Sequence, residues 1–177
     1  IEQLDAYRLV LLPGLFELSE EKERILRKWI LKGDRTVVWL YGAALFDGRR
    51  KTPSRMRELT GFRQEESGAP ERKMENWTSV FLPDSRSLTP EKLRSLAEKA
   101  GVHFYTDLLC PVWASRDLLM IHTAESGRQT IRLRRPAGIR MLLGRDARNV
   151  EPTQFEYDFS GPETILVELA EAPSSCS

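Results

Sequence analysis

The residues best placed to do chemistry are three aspartates that follow predicted strands. Asp47, Asp84 and Asp107 each come a few residues after a stretch that we interpret as a parallel strand. The carboxyl ends of parallel strands meet at one edge of an open sheet, and ligands bind at that edge. Carboxylates there could serve a hydrolase, but aspartate is also common in loops as a turn former or cap. Both interpretations are open for all three residues.

Two glycines are expected at the same edge. Gly14 follows the first predicted strand in Pro13-Gly14, and Gly42 opens the small-residue stretch that ends at Gly48. Glycine lets the backbone approach a ligand or another chain closely. With the three aspartates, these glycines make up the predicted ligand-binding residues.

A nucleophilic site is not indicated by the sequence. The sharp turn after a central strand, where a nucleophile would stand, contains neither Cys nor Ser between Trp39 and Ala44. Cys110 lies in an apolar run, which favours a buried thiol. His103 and His122 are far apart in sequence and do not form a close-spaced metal-ligand set. We therefore predict no catalytic residue, no metal site and no cofactor.

The overall charge is nearly balanced, with 27 Lys and Arg against 26 Asp and Glu. Such a balance gives no general attraction to nucleic acid or to a membrane surface. The arginines between Arg132 and Arg148 have no aromatic residues interleaved on their face, so a solvated strand face is favoured over a nucleic-acid surface. No apolar run approaches the roughly 20 residues of a membrane helix. The two cysteines exclude a disulfide framework.

The first half of the chain alternates between strands and helices. Tyr7–Leu12 and Thr36–Tyr41 are apolar on both faces, which predicts a parallel sheet covered on both sides. Between them Ser19 caps an amphipathic helix with an acidic first turn. Further helices are predicted from Thr52 and from Thr89, and further strands at Trp77–Leu82 and Val102–Tyr105. This alternation predicts an α/β domain over residues 1–107.

The second half changes to short strands without helices. We predict an antiparallel β module over residues 108–171 and a disordered tail over 172–177. Phe155, Tyr157 and Phe159 alternate with acidic residues, which places them on the buried face of a strand. An exposed aromatic platform would instead indicate a carbohydrate-binding module, and Trp113 and Tyr157 are the candidates for it.

Several stretches resemble the trimerisation domain of β-galactosidases in glycoside hydrolase family 42. They are Tyr7 to Leu15, Leu18 to Glu21, Ile30 to Gly33, Thr36 to Tyr41, and Arg57 to Phe62. The resemblance implies a flavodoxin-like, class I glutamine amidotransferase-like α/β fold with a parallel sheet. A second resemblance is to the closing part of glycosidase-like multidomain proteins, where a small β module follows the α/β domain. Its stretches are Ala100 to Tyr105, Leu118 to Thr123, Gly127, Thr130 to Leu133, and Phe155 to Phe159.

The resemblance implies a non-catalytic accessory and assembly domain from the C-terminal region of a β-galactosidase-like protein. The amidotransferase motif Gly-x-Cys-x-Gly is replaced here by Tyr41-Gly42-Ala43, in agreement with a non-catalytic branch. The family's upstream strands are missing, and the chain does not begin with Met, which favours a fragment truncated at its N-terminus. We expect a homo-oligomer, a dimer or a trimer, with the rest of the parent chain and carbohydrate as further partners.

Overall fold

The computed structural model describes residues 6–48, 50–151 and 153–171. The predicted tail at 172–177 and the lead-in before Ala6 lie outside these residues. The chain divides into two compact units, Ile1–Val102 and His103–Ser177. The sequence had placed the boundary at residue 107. No described helix has both the length and the apolar character to cross a membrane.

The described residues of the first unit form three α-helices and five strands. In chain order they are β1 (Leu9–Glu17), α1 (Glu20–Trp29), β2 (Thr36–Asp47), β3 (Arg50–Lys51), α2 (Pro53–Thr60), β4 (Glu71–Lys73), β5 (Thr78–Leu82) and α3 (Pro90–Lys99), with a short 3-10 helix at Ser85–Ser87. The strands form one sheet in the order β1-β2-β5-β4, and β3 pairs with β2.

Helix α1 begins where its sequence predicts. The Ser19 hydroxyl accepts a hydrogen bond from the amide of Lys22, and Glu20, Glu21 and Glu23 occupy the first turn, where the helix dipole favours negative charge. The strands β1 and β2 on either side of α1 pair in parallel, with Leu11 opposite Val38. A β1-α1-β2 crossover unit is therefore present.

The sheet buries both faces of β2. Val37 and Trp39 face α1 and α2, and Val38 and Leu40 face α3, because successive side chains of a strand point to opposite faces. All four of these β2 side chains are buried. The helices thus close both faces around β2, while β1 forms one side of the sheet.

The prediction of a flavodoxin-like, class I glutamine amidotransferase-like parallel sheet is wrong. The chain is mostly β, with a mixed sheet in the first unit and antiparallel sheets in the second. Only β1, β2 and β5 run parallel. The polar stretch between α2 and β5 contains β4, which pairs antiparallel with β5, and no strand forms at Val102–Tyr105. Each further parallel strand needs a crossover back to the sheet, and after α3 the chain enters the second unit instead.

The second unit is built from antiparallel strands. They are β6 (Val112–Ala114), β7 (Leu118–Thr123), β8 (Ser126–Arg132), β9 (Ala137–Leu143), β10 (Arg148–Glu151), β11 (Gln154–Ser160) and β12 (Glu163–Glu171). One sheet has the order β10-β11-β8 and the other β6-β7-β12-β9. Phe155, Tyr157 and Phe159 of β11 share one buried cluster with Ile121 of β7 and Val167 of β12, so apolar side chains of both sheets form one core.

A buried hydrogen-bond chain joins three elements of the first unit. The indole Nε1 of Trp39 donates to the Ser79 hydroxyl over 3.0 Å, and that hydroxyl donates to the carbonyl of Thr60 over 2.6 Å. All three residues are buried. These two hydrogen bonds satisfy the indole N–H of Trp39 and hold the C-terminal end of α2 against β5.

We predict that Ser79→Ala lowers the free energy of unfolding by about 1 to 3 kcal/mol, because the buried indole N–H of Trp39 loses its acceptor. Urea denaturation followed by tryptophan fluorescence measures the change. Ser54→Ala, at an exposed position of α2, is the control and should stay within about 0.5 kcal/mol of the parent chain. Equal stability of the Ser79→Ala variant and the control would contradict the structural role of this hydrogen bond.

Candidate functional site

The structure brings Gly14 and Gly42 together on adjacent strands. The register of β1 against β2 shifts between Pro13 and Leu15, opposite Leu40 and Ala43. Both glycines have positive φ, +60° and +142°, which side chains rarely adopt. A Cβ atom built on Gly42 would lie 3.3 Å from Cε1 of Phe16. The space beside Gly42 is therefore filled by the Phe16 ring, which gives this glycine a structural role.

Two neighbouring residues also have left-handed backbone conformations. Tyr41 has a φ of 72° and Ala44 a φ of 51°. Such conformations are unfavourable for residues with a side chain and persist where the surrounding structure imposes them. Ala43 and Ala44 are buried, while the rings of Phe16 and Tyr41 remain about 40% exposed. The predicted ligand edge is thus an irregular stretch of paired strands with aromatic rings on its surface.

Asp47 lies at the end of β2 in a shallow cavity of about 450 Å³. Its carboxylate is 3.8 Å from Nη1 of Arg55, in the first turn of α2. The cavity brings together the ends of three elements of the first unit. Its charged lining consists of Glu20, Glu23, Arg24, Arg27, Asp47 and Arg55. Three carboxylates face three guanidinium groups, so the formal charges cancel.

Glu23 is the centre of this charge cluster. Its Oε1 accepts from Nε of Arg27 over 2.9 Å, and its Oε2 accepts from Nε of Arg55 over 2.9 Å. Partial burial raises the pKa of Glu23, but the hydrogen bonds from Arg27 and Arg55 outweigh it and leave the pKa below its ordinary value. The cluster therefore ties α1 to α2 through a carboxylate that is ionised at neutral pH.

Asp84 and Asp107 each have a different partner. The carboxylate of Asp84 accepts from the amide of Ser87 over 3.0 Å and so caps the short 3-10 helix after β5. Asp107 belongs to the second unit and accepts from both Nη atoms of Arg132, at 3.0 and 2.8 Å. This pairing raises the pKa of Arg132. The three aspartates thus have separate, structural partners, and the structure assembles no shared carboxylate site from them.

The other reactive side chains are also scattered. His103 Nε2 lies 3.1 Å from the carbonyl of Arg132, and His122 Nδ1 lies 2.8 Å from the Thr164 hydroxyl. Cys110 is half-buried, and burial, together with the nearby Glu125, raises the pKa of its thiol. Within residues 6–48, 50–151 and 153–171, no group of three His, Cys, Asp or Glu side chains is arranged to hold a metal ion.

Sequence reasoning missed the bridge between Glu23 and Arg55. The pair Glu23 and Arg27 is visible as an i,i+4 spacing on one helix. Arg55 is 32 residues away from Glu23, and no sequence pattern links them.

Sequence reasoning did identify Trp113, whose ring the structure places on β6 with 56% of its surface exposed. Tyr157, the other aromatic candidate, is buried, as its alternation predicted.

Comparison with known proteins gives a likeness of fold only. No protein-family model and no curated protein sequence matches the chain. Among solved structures, the crystal structure of β-galactosidase from Bacillus circulans sp. alkalophilus is similar, with a TM-score of 0.58 and 14% sequence identity. The match covers 93% of this chain and 33% of that chain, so the chain spans about a third of the β-galactosidase. The chain has a glycosidase-related fold.

We predict that Glu23→Gln lowers the free energy of unfolding at pH 7 by about 1.5 kcal/mol, because charge-assisted hydrogen bonds to two arginines weaken. A depressed folded-state pKa contributes stability above the unfolded-state pKa, about 4.3, which is lost as the pH falls through the folded-state value. Urea denaturation between pH 7 and pH 3 should therefore show the two chains converging in acid. Glu65→Gln, at an exposed loop position, is the control. A difference that stays constant to pH 3 would contradict the ionic role of Glu23.

Proposed function

We propose that this chain is a non-catalytic accessory and assembly domain of a glycoside-hydrolase-like protein. The observation that carries the proposal is the likeness of nearly the whole chain to a third of a β-galactosidase. A fold shared with about a third of a β-galactosidase fits a domain that forms one part of a larger enzyme. Fold alone does not define function, so the local chemistry has to support the proposal as well.

The strand-end carboxylates support a non-catalytic role. A general acid or nucleophile needs a carboxylate that points at a substrate and has a tuned pKa. Asp47 lies beside Arg55, Asp84 caps a 3-10 helix, and Asp107 forms a two-point ion pair with Arg132. Each carboxylate therefore already has a structural partner. Galactoside hydrolysis by the purified chain that disappears in Asp47→Asn or Asp84→Asn, with the fold intact, would overturn this part of the proposal.

The β1 side of the first sheet supports an assembly role. In the described part of the chain β1 pairs only with β2, so one row of its backbone groups faces outward. Leu11 lies in the same cross-strand row as Val38 and Val80, yet it is exposed while both of them are buried. The exposed large side chains of this region are Tyr7, Leu11, Phe16, Tyr41 and Phe46. An edge strand beside exposed apolar side chains favours pairing with another chain.

We predict that the chain self-associates at micromolar concentration and that Leu11→Lys shifts it towards a monomer of 20.4 kDa. A charged side chain on an edge strand opposes pairing with a second chain. Sedimentation equilibrium measures the mass directly. A symmetric dimer or trimer is expected for the parent chain, because most homo-oligomers have closed symmetry.

The control is Leu142→Lys on β9, which is also an edge strand with an exposed leucine but belongs to the second unit. This variant should associate as the parent chain does. A monomeric parent chain, or equal loss of association in both variants, would contradict assembly through β1.

The exposure of Trp113 favours a second candidate function, carbohydrate binding by the second unit. Trp113 begins a cross-strand row that continues through Met120, Leu166 and Leu143 on β7, β12 and β9. Paired residues of neighbouring strands share one face of the sheet, and Trp113 and Leu143 at the two ends of the row are exposed. An exposed indole can stack on the apolar face of a sugar ring.

If this second function holds, Trp113→Ala weakens binding of galacto-oligosaccharides by roughly tenfold, equivalent to about 1.4 kcal/mol. Isothermal titration calorimetry gives the affinity of each variant. Tyr7→Ala removes a comparably exposed aromatic ring from the first unit and should leave the affinity unchanged. Unaltered binding in the Trp113 variant, or no binding by the parent chain, would eliminate this candidate.

A further inference from the structure

A cavity of about 390 Å³ lies in the second unit, where two turns meet. Residues 115–117 join β6 to β7, and residues 133–136 join β8 to β9. Nη2 of Arg135 donates to the carbonyl of Arg116 over 3.1 Å and so connects the two turns. The amide of Leu169 on β12 donates to the carbonyl of Asp117 over 2.8 Å. The rim of the cavity is thus held by hydrogen bonds on two sides.

The charge of this cavity is positive. Arg116, Arg134 and Arg135 supply three guanidinium groups to its lining. The nearby carboxylate of Asp117 is 3.6 Å from Nη2 of Arg135 and 3.9 Å from Nε of Arg116. Among the residues that line the cavity, three carry a guanidinium group and none carries a carboxylate. A planar guanidinium binds carboxylate, sulfate and phosphate groups through two parallel hydrogen bonds.

Apolar side chains complete the lining of this cavity. Leu133 and Leu169 are buried, and Tyr105 is half-buried. The backbone of Tyr105 is fixed, because its carbonyl accepts from the amide of Arg132 over 2.8 Å. Small-molecule sites have volumes of about 300 to 1,000 Å³ and combine apolar walls with a few polar groups that orient the ligand. The volume and the lining of this cavity match that description.

We propose that this cavity binds a small organic anion. Its carboxylate, sulfate or phosphate group lies among Arg116, Arg134 and Arg135, and its body lies against Tyr105 and Leu133. All of its residues belong to the second unit, whereas the assembly surface on β1 belongs to the first. The site would supply the second unit with recognition of a charged ligand.

Isothermal titration calorimetry on the full chain tests the proposal with four probes: galacturonate, galactose 6-sulfate, glucose 6-phosphate and neutral galactose. At least one of the three anions should bind with a dissociation constant below about 1 mM, and galactose should bind at least tenfold more weakly. The tightest anion identifies the charged group that the site prefers. Affinity should fall as salt is raised from 0.05 to 0.5 M, about an order of magnitude in ionic strength, because the site is open to solvent.

The variant Arg134→Gln/Arg135→Gln removes two guanidinium groups and should weaken anion binding at least tenfold. Arg140→Gln on β9 removes the same kind of charge, from an arginine paired with Glu168, and should leave binding unchanged. Tyr105→Leu should weaken binding of the organic anions. Inorganic phosphate, used here as a further probe, should bind this variant as it binds the parent chain. Circular dichroism monitors the fold of each variant. Equal affinity for galactose, no anion binding below about 1 mM, or equal loss in the Arg140 variant would overturn the proposal.

Discussion

The two-sided burial of strand β2 is the constraint on which the first unit depends. Val37 and Trp39 pack under α1 and α2, while Val38 and Leu40 pack under α3. Burying four large apolar side chains contributes roughly 1.5 to 3 kcal/mol each, upper bounds for a fully extended reference chain. Because β2 is a central strand of the sheet, β1 and β5 lie on either side of it, and the three described helices lie on the two faces of the sheet. The exposed apolar side chains then collect at the β1 side, which no helix covers completely.

Charged side chains secure the ends of these elements. Glu23 bridges Arg27 of the same helix and Arg55 of α2, which fixes two helix N-terminal regions beside the end of β2. Asp84 performs a related task after β5 by capping a short helix. Carboxylates at the carboxyl ends of parallel strands are therefore used here to stabilise turns and helices. The part of our proposal that gives these carboxylates a non-catalytic role is based on this arrangement.

The second unit buries its sheets in a different way, since it contains no described helix to cover them. Its two antiparallel sheets share a core formed by residues such as Ile121, Phe155 and Val167, so each sheet covers the other. The remaining face of the larger sheet carries Trp113 and Leu143 at its surface. The turns at one end of that sheet carry Arg116, Arg134 and Arg135. Turns at the end of a packed sandwich are suitable positions for recognition residues, because substitutions there leave the core unaffected.

Several local elements and buried faces could be predicted from the amino-acid sequence. The apolar runs at β1 and β2, the Ser19 cap and the alternation of Phe155, Tyr157 and Phe159 were each sufficient, because they depend on near neighbours in the chain. Only the tertiary structure decided the sheet topology, since the polar residues of β4 pair with β5 through backbone groups that have no side-chain signal. The tertiary structure also decided which partners the aspartates and arginines contact. Glu23 meets Arg55, and Arg116 meets Arg135, across long sequence separations, and such contacts follow from packing and not from any local pattern.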